Sequence, residues 1–276
     1  LARARQLFAR AIETPGGLRI QTIHSFCASI LRRFPLEADI SPGFTEMDDR
    51  AARLLRTEII EDLADRTAPD VMARVARVWS GESFETLVEQ IARERRHLSN
   101  PMADAMVRAL FALPAGFGPD QLLAQVFLGD EATLLAQVTP VMAKGSTTDA
   151  KMAQRLAALR LTPPDMTSLE ALESIFLTGS SAKEPFTAKI GSFPTKDTRA
   201  RLGDSLDALE NLMRRVETAR ERRLTLLAYD KTAALHAFAD AFLPVYAARK
   251  AARGLLDFDD LIDRAHALLT DPSLAA

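Results

Sequence analysis

Gln21-Thr22-Ile23-His24-Ser25-Phe26-Cys27 closes a short apolar run and opens an amphipathic helix. Behind it stand Leu18 and Ile20, after a Gly16-Gly17 break. Ahead of it, Ile23, Phe26, Cys27, Ile30, Leu31 and Phe34 recur at the spacing of one helical face. That face turns Phe26 inward with Ile30 and leaves Thr22, His24 and Ser25 at the turn. A helix start has unpaired backbone N–H groups. With a hydroxyl and an imidazole beside them, such groups can hold a phosphate. Thr and Ser are also ordinary helix caps, and a His in this place is more often a structural hydrogen-bonder. Local chemistry leaves both readings open.

Outward from this turn, nearly every segment has a period near 3.6. Ala51, Leu55, Ile59 and Leu63 form one stripe. Pro69 opens the next helix, with Val71, Met72, Val75, Val78 and Trp79 on its face and Ser80-Gly81 as its stop. Ser83 is placed to cap a helix carrying Phe84, Leu87, Val88 and Ile91. Further stripes are Met102, Met106 and Leu110; Leu122, Leu123, Val126 and Phe127; and Leu134, Leu135 and Val138. Met152, Leu156 and Leu159 follow, then Leu169, Leu172, Ile175 and Phe176. From Thr198 to Ala252 the pattern hardly breaks, through Leu202, Leu206, Leu209, Met213, Val216, Leu224, Leu227, Leu235, Phe238 and Phe242. It predicts two long helices, or one helix bent near Pro244. Strand signals are confined to Leu18–Gln21 and Leu255-Leu256. The expected fold class is mainly α.

At 276 residues and 47% hydrophobic side chains, the chain can bury a normal core, hiding about 75% of its extended surface. Thirty-five basic residues against 37 acidic ones give a net charge of −2, so any nucleic-acid contact must come from local patches. The single cysteine, Cys27, excludes an internal disulfide and reads as a buried small hydrophobe. No apolar run nears the ~20 residues of a membrane span, and no signal-peptide pattern opens the chain. The expectation is a soluble, cytoplasmic protein.

The stretch LRIQTIHSFCASILRRFPLEADISPGF, Leu18 to Phe44, resembles the TxHxF single-strand-contact segment of UvrD/Rep-type superfamily 1 DNA helicases. It is most similar to the AddA subunits of bacterial AddAB helicase-nucleases, with RecB more distant. GLLDFDDLIDRAHALL, Gly254 to Leu269, resembles the DFDDL segment that precedes the Walker B strand in the same proteins. No GxxxxGK[ST] phosphate loop and no DEx[QD] strand occur in the 276 residues. The resemblance therefore implies an internal fragment, with ATP and Mg2+ bound outside this chain. It implies pieces of an α/β motor subdomain 1A at 1–47 and 251–276, around a helical 1B insertion at 48–250. It further implies unwinding and processing of DNA ends in double-strand-break repair, an AddB-like partner, and a nuclease site elsewhere in the parent. Thr22 and His24, with Ser25 beside them, become backbone contacts to single-stranded DNA, which carry no sequence information.

Asp257 and Asp260 have the spacing of a helix-capping pair, and Gly254 fits the end of the preceding helix. The apolar seam of Phe258 and Leu261 argues against a Mg2+ reading of these acids. Arg93-Glu94-Arg95-Arg96-His97 puts cations at a helix end, and Arg214-Arg215 and Arg220 to Arg223 read as solvated faces with i,i+4 pairs. The loop from Thr178 to Lys196 holds Lys183, Lys189 and Lys196 with Glu184 as its acid. A loop this long is functional or disordered. Since related helicases touch the incoming duplex with 1B, the functional alternative is a duplex-side contact. His97, His236 and His266 lack any ligand spacing. No residue of the chain reads as catalytic. The rival reading is a helical protein-interaction module in which the TIHSF turn only caps a helix.

Overall fold

The computed structural model describes residues 2–13, 20–79 and 81–271. Helix α1 spans Ala2–Glu13 and α2 Ile23–Leu31; a two-residue strand β1, Thr45–Glu46, follows. Then come α3 (Asp49–Asp62), which runs into one π turn (Leu63–Thr67), α4 (Pro69–Val78) and α5 (Glu82–Arg93). The middle of the chain holds α6 (Asp104–Leu110), α7 (Pro119–Val126), α8 (Glu131–Ala143), α9 (Thr147–Ala157), α10 (Met166–Phe176) and α11 (Lys196–Leu202). The 48-residue α12 (Ser205–Ala252), strand β2 (Leu255–Leu256) and α13 (Phe258–Thr270) complete it. The fold is mainly helical, as the periodicity predicts.

Two compact units divide the chain: Leu1–Pro101 with Ala234–Ala276, and Met102–Ala233. Residues 48–101 and 234–250, expected in a helical arm, thus cluster with the chain ends.

In the first unit, α3, α4 and α5 bury Leu55, Ile59, Leu63, Val75, Val88 and Ile91 against Phe238, Phe242 and Tyr246 of α12. These three rings follow at i, i+4, i+8, and each stacks on the next at 5.4 Å between centroids. Arg249 reaches Glu58 and Asp62 at 2.6 Å, tying α12 to α3. A smaller core joins Cys27, Ala28 and Leu31 of α2 to Leu261 and Ala265 of α13, with Phe44 beneath. The strands β1 and β2 pair in parallel, Thr45 opposite Leu255 and Glu46 opposite Leu256. Gly254, at φ +60, makes the turn between α12 and β2 that the sequence assigns to it.

In the second unit, α7 to α11 and the first part of α12 share one core, with Leu122, Val138, Met142, Leu169, Phe176, Leu209 and Met213 buried. Two buried acids hold its corners. Glu131 accepts the Leu128 and Gly129 N–H groups and the Arg215 guanidinium. Asp149 accepts from Thr195 and Thr198. Burial alone would raise both pKa values, but these donors outweigh it and hold them below the ordinary carboxylate range.

Three expectations need correction. The break in the long helical stretch falls at Gly203 (φ +54), and α12 continues through Pro244. A left-handed glycine ends a helix, whereas an internal proline costs one backbone bond that packing can offset. Ser83 lies inside α5, whose cap is Gly81; Ser80, expected to stop α4, lies outside the described residues, as do Leu18 and Arg19 of the expected strand at Leu18–Gln21, whose Ile20 and Gln21 are in no strand. On α6, Met106 and Leu110 are exposed and Val107 is buried, because this short helix turns Val107 toward Tyr229 and Ala233 of α12.

Candidate nucleic-acid interface

Thr22 caps α2 in extended backbone (φ −71, ψ 160), and its hydroxyl accepts the Ser25 N–H at 3.3 Å. The Thr22 and Ser25 hydroxyls lie 3.1 Å apart. Both residues are exposed and His24 is half-buried. The cap bond occupies one acceptor position on Thr22, and one of the two hydroxyls donates to the other; the second hydroxyl donor and the imidazole remain beside the helix start. The cap and the phosphate-holding turn are therefore compatible.

His24 is braced from below. Its ring stacks on Phe258, the first residue of α13, with centroids 4.5 Å apart and planes inclined by 33°. Phe258 is 45% exposed while Leu261 is fully buried, so the expected apolar seam of α13 splits between a surface ring and a core residue. Phe26 corrects the sequence reading: it is 43% exposed, and Ile23 and Phe34 are exposed with it. The buried line of α2 is Cys27, Ala28 and Leu31. One residue along a helix is a rotation of about 100°. The small residues Cys27 and Ala28 give α13 close access that Phe26 and Ile30 would block.

Beneath Phe258 lies a network of charges. Asp257 and Asp260 form the reciprocal cap the sequence predicts, each accepting the other's backbone N–H, at 2.8 and 3.0 Å. The Lys250 ammonium donates to Asp257 at 2.6 Å and to Asp260 at 2.5 Å. Arg95 donates to Asp257 at 3.0 Å, Asp260 at 2.9 Å and Asp259 at 3.4 Å. Burial would raise the Asp257 pKa, but the Lys250 charge and hydrogen bond, with Arg95, outweigh it and depress it. Burial, reinforced by the Asp257 charge, pushes the neighbouring Tyr246 phenol well up. Arg95 and Lys250 already occupy the carboxylates that would take a divalent ion, so Asp257 and Asp260 do not fit Mg2+.

Arg95 changes the reading of the Arg93–His97 run. Arg93 makes the local pair with Glu89, but Arg95 and Arg96 turn to the acids of α13. No local pattern could have shown this, because Arg95 lies more than 160 residues from Asp260. The arginines of α12 likewise form pairs between helices. Arg223 grips Glu173 with two bonds at 2.7 and 2.8 Å, and Arg215 meets Glu131 at 2.6 Å. Arg214 keeps an i,i+4 partner, Glu210.

The loop after α10, in the second unit, is folded. Thr178 exchanges backbone bonds with Phe186 and Thr187, its hydroxyl donates to the Glu184 carbonyl at 2.6 Å, and Leu177 bridges Ala188. Lys183 and Lys196 are exposed. Lys189 is half-buried and donates to the Ile175 carbonyl at 2.7 Å. Burial, then the Arg155 charge, lowers its pKa. Of the three lysines expected at a duplex, Lys189 is thus built into the loop's own frame.

Thr22, His24 and Ser25 share one turn of the first unit; Lys183 and Lys189 share one loop of the second, and Lys196 opens α11 at its end. Among the described residues no helix is long and apolar enough to cross a membrane.

The chain belongs to the UvrD/REP helicase N-terminal domain family, whose profile matches residues 2–276. It is similar to proteins named as ATP-dependent helicase/nuclease subunits of the A type. The one from Desulforamulus reducens is 31% identical over 90 residues, 31% of this chain and 7% of that protein. That from Desulforudis audaxviator is 33% identical over 110 residues, covering 37% and 8% respectively. That from Listeria innocua is 33% identical over 76 residues, covering 28% and 6%. The matched part is thus under a tenth of each relative's length.

Proposed function

We propose that this chain works within an ATP-dependent DNA helicase of the AddA kind, processing DNA ends in double-strand-break repair in the cytoplasm. The observation that carries the reading is the exposed Thr22-His24-Ser25 turn, with His24 held on Phe258, in a chain of the helicase family. Thr22, His24 and Ser25 contact the single-strand backbone, and Phe258 keeps the imidazole at the surface. Lys183 and Lys196 face the duplex, and Lys189 anchors their loop. Residues 48–250 act as a 1B-type helical arm between two pieces of subdomain 1A. ATP and Mg2+ bind to segments other than these 276 residues, the parent carries nuclease activity, and an AddB-like protein is the partner.

Replacing Thr22 and His24 together with Ala is expected to weaken single-strand binding while nucleotide affinity of the parent is kept. Each lost phosphate contact should flatten the plot of log affinity against log salt by about 0.7. An unchanged slope returns both residues to a purely capping role. A second expectation concerns the isolated 276 residues, which contain no phosphate loop. They should show no ATPase activity with or without single-stranded DNA, and turnover that survives full purification would overturn this assignment.

A further inference from the structure

Phe186 holds a backbone conformation, φ +57, that bulky side chains rarely adopt. The loop imposes it. The Phe186 N–H donates to the Thr178 carbonyl, the Thr178 N–H donates to the Thr187 carbonyl, and both threonine hydroxyls donate to the Glu184 carbonyl. The ring is left 37% exposed, whereas Phe193 of the same loop is buried in the core. The Arg220 guanidinium lies over it, 3.6 Å from the centroid, and fixes its plane. Arg220 is itself steadied by Glu173 at 3.8 Å. A strained backbone and a cation together present one flat apolar face.

We propose that Phe186 stacks on the terminal base pair of a DNA duplex. This rests on the reading of the loop as duplex-facing, and adds what part of the duplex it meets. A duplex exposes a base-pair face only at its end, and one ring suits that single face. A track for single strands needs a succession of rings, and Phe186 is the loop's sole exposed aromatic. The exposed Lys183, three residues away in the chain, offers positive charge to phosphates beside a duplex end, while the Arg220 guanidinium behind the ring is already paired with Glu173; Glu184 is the one opposing carboxylate in the loop.

The test compares the protein's affinity for a blunt duplex with that for the same duplex closed at both ends by hairpin loops. Phe186→Gly removes the ring and tolerates the positive φ, so the loop is kept. The open duplex should bind more tightly to the unaltered protein. Phe186→Gly should lose about 5- to 100-fold in affinity for the open duplex and little for the closed one, with the salt slope unchanged. Phe186→Trp should retain the preference. Equal binding of both duplexes by the unaltered protein, or a preference that survives Phe186→Gly, overturns the proposal. So does a loss confined to binding of a partner protein. Lys183→Ala with Lys196→Ala separates the two levels. A salt slope flattened by about 0.9 per lost contact supports a duplex-facing loop even where stacking fails. An unchanged slope removes the loop from the duplex, and the stacking proposal with it.

Discussion

Lys250→Met is expected to destabilise the first unit by about 3 kcal/mol, the low end of what removing one partner from a buried ion network costs. The Lys250 side chain is only 6% exposed and is shared between Asp257 and Asp260. Arg95 remains to offset part of the loss. The sole tryptophan, Trp79, packs at the edge of the neighbouring core, so its fluorescence during urea unfolding reports this unit. A change below about 1 kcal/mol would mean the acids are satisfied without the ammonium. Adding Asp257→Asn should recover part of the loss, because one buried charge is removed while Asp260 and Asp259 still balance Arg95. The network also sets an acid limit. Asp257 has a depressed pKa in the folded state, so between that value and its unfolded value of about 3.9 the unfolded chain binds more protons. Its contribution is therefore full above the unfolded pKa and is lost as pH falls through the folded one. In Lys250→Met this acid-side loss should shrink.

Phe242→Ala should cost about 3–5 kcal/mol, the usual range for emptying an aromatic site in a core. Phe242 is fully buried between Phe238 and Tyr246, with planes inclined by 15° and 17°. Truncation leaves a gap at the centre of the ladder, which its stacked neighbours cannot fill without leaving α12. Urea unfolding followed at Trp79 measures the loss. A change under about 1 kcal/mol would show that α3 to α5 close over the gap.

The helical stripes were legible in the sequence wherever packing follows one face. Leu55, Ile59 and Leu63 are buried as spaced, as are Leu169, Leu172, Ile175 and Phe176. Caps were legible for the same reason: Thr22, Asp257 and Asp260 act on neighbours three residues away. The rest depends on partners far along the chain. Phe26 shares its spacing with Ile30, but only the arrival of α13 decides that Cys27 and Ala28 are the inner line. Between Val216 and Ala233 the buried positions of α12 become Ala219, Leu226 and Tyr229, leaving Leu224 and Leu227 part-exposed. The candidate turn was visible in Thr22-His24-Ser25, whereas its support was not. Phe258 looked like part of an apolar seam, and Arg95 like a charge ending its own helix.

Strands β1 and β2 join positions 45 and 255, and α2 closes its core only with Leu261 and Ala265 of α13. On a ribosome adding about 5–20 residues per second, Leu31 precedes Leu261 by roughly 10 to 50 seconds. Through that interval Cys27, Ala28 and Leu31 have no native cover from α13, while the helices of the second unit can already pack on one another. The second unit can therefore close before the first, and the inner face of α2 stays without α13 until α13 has been made.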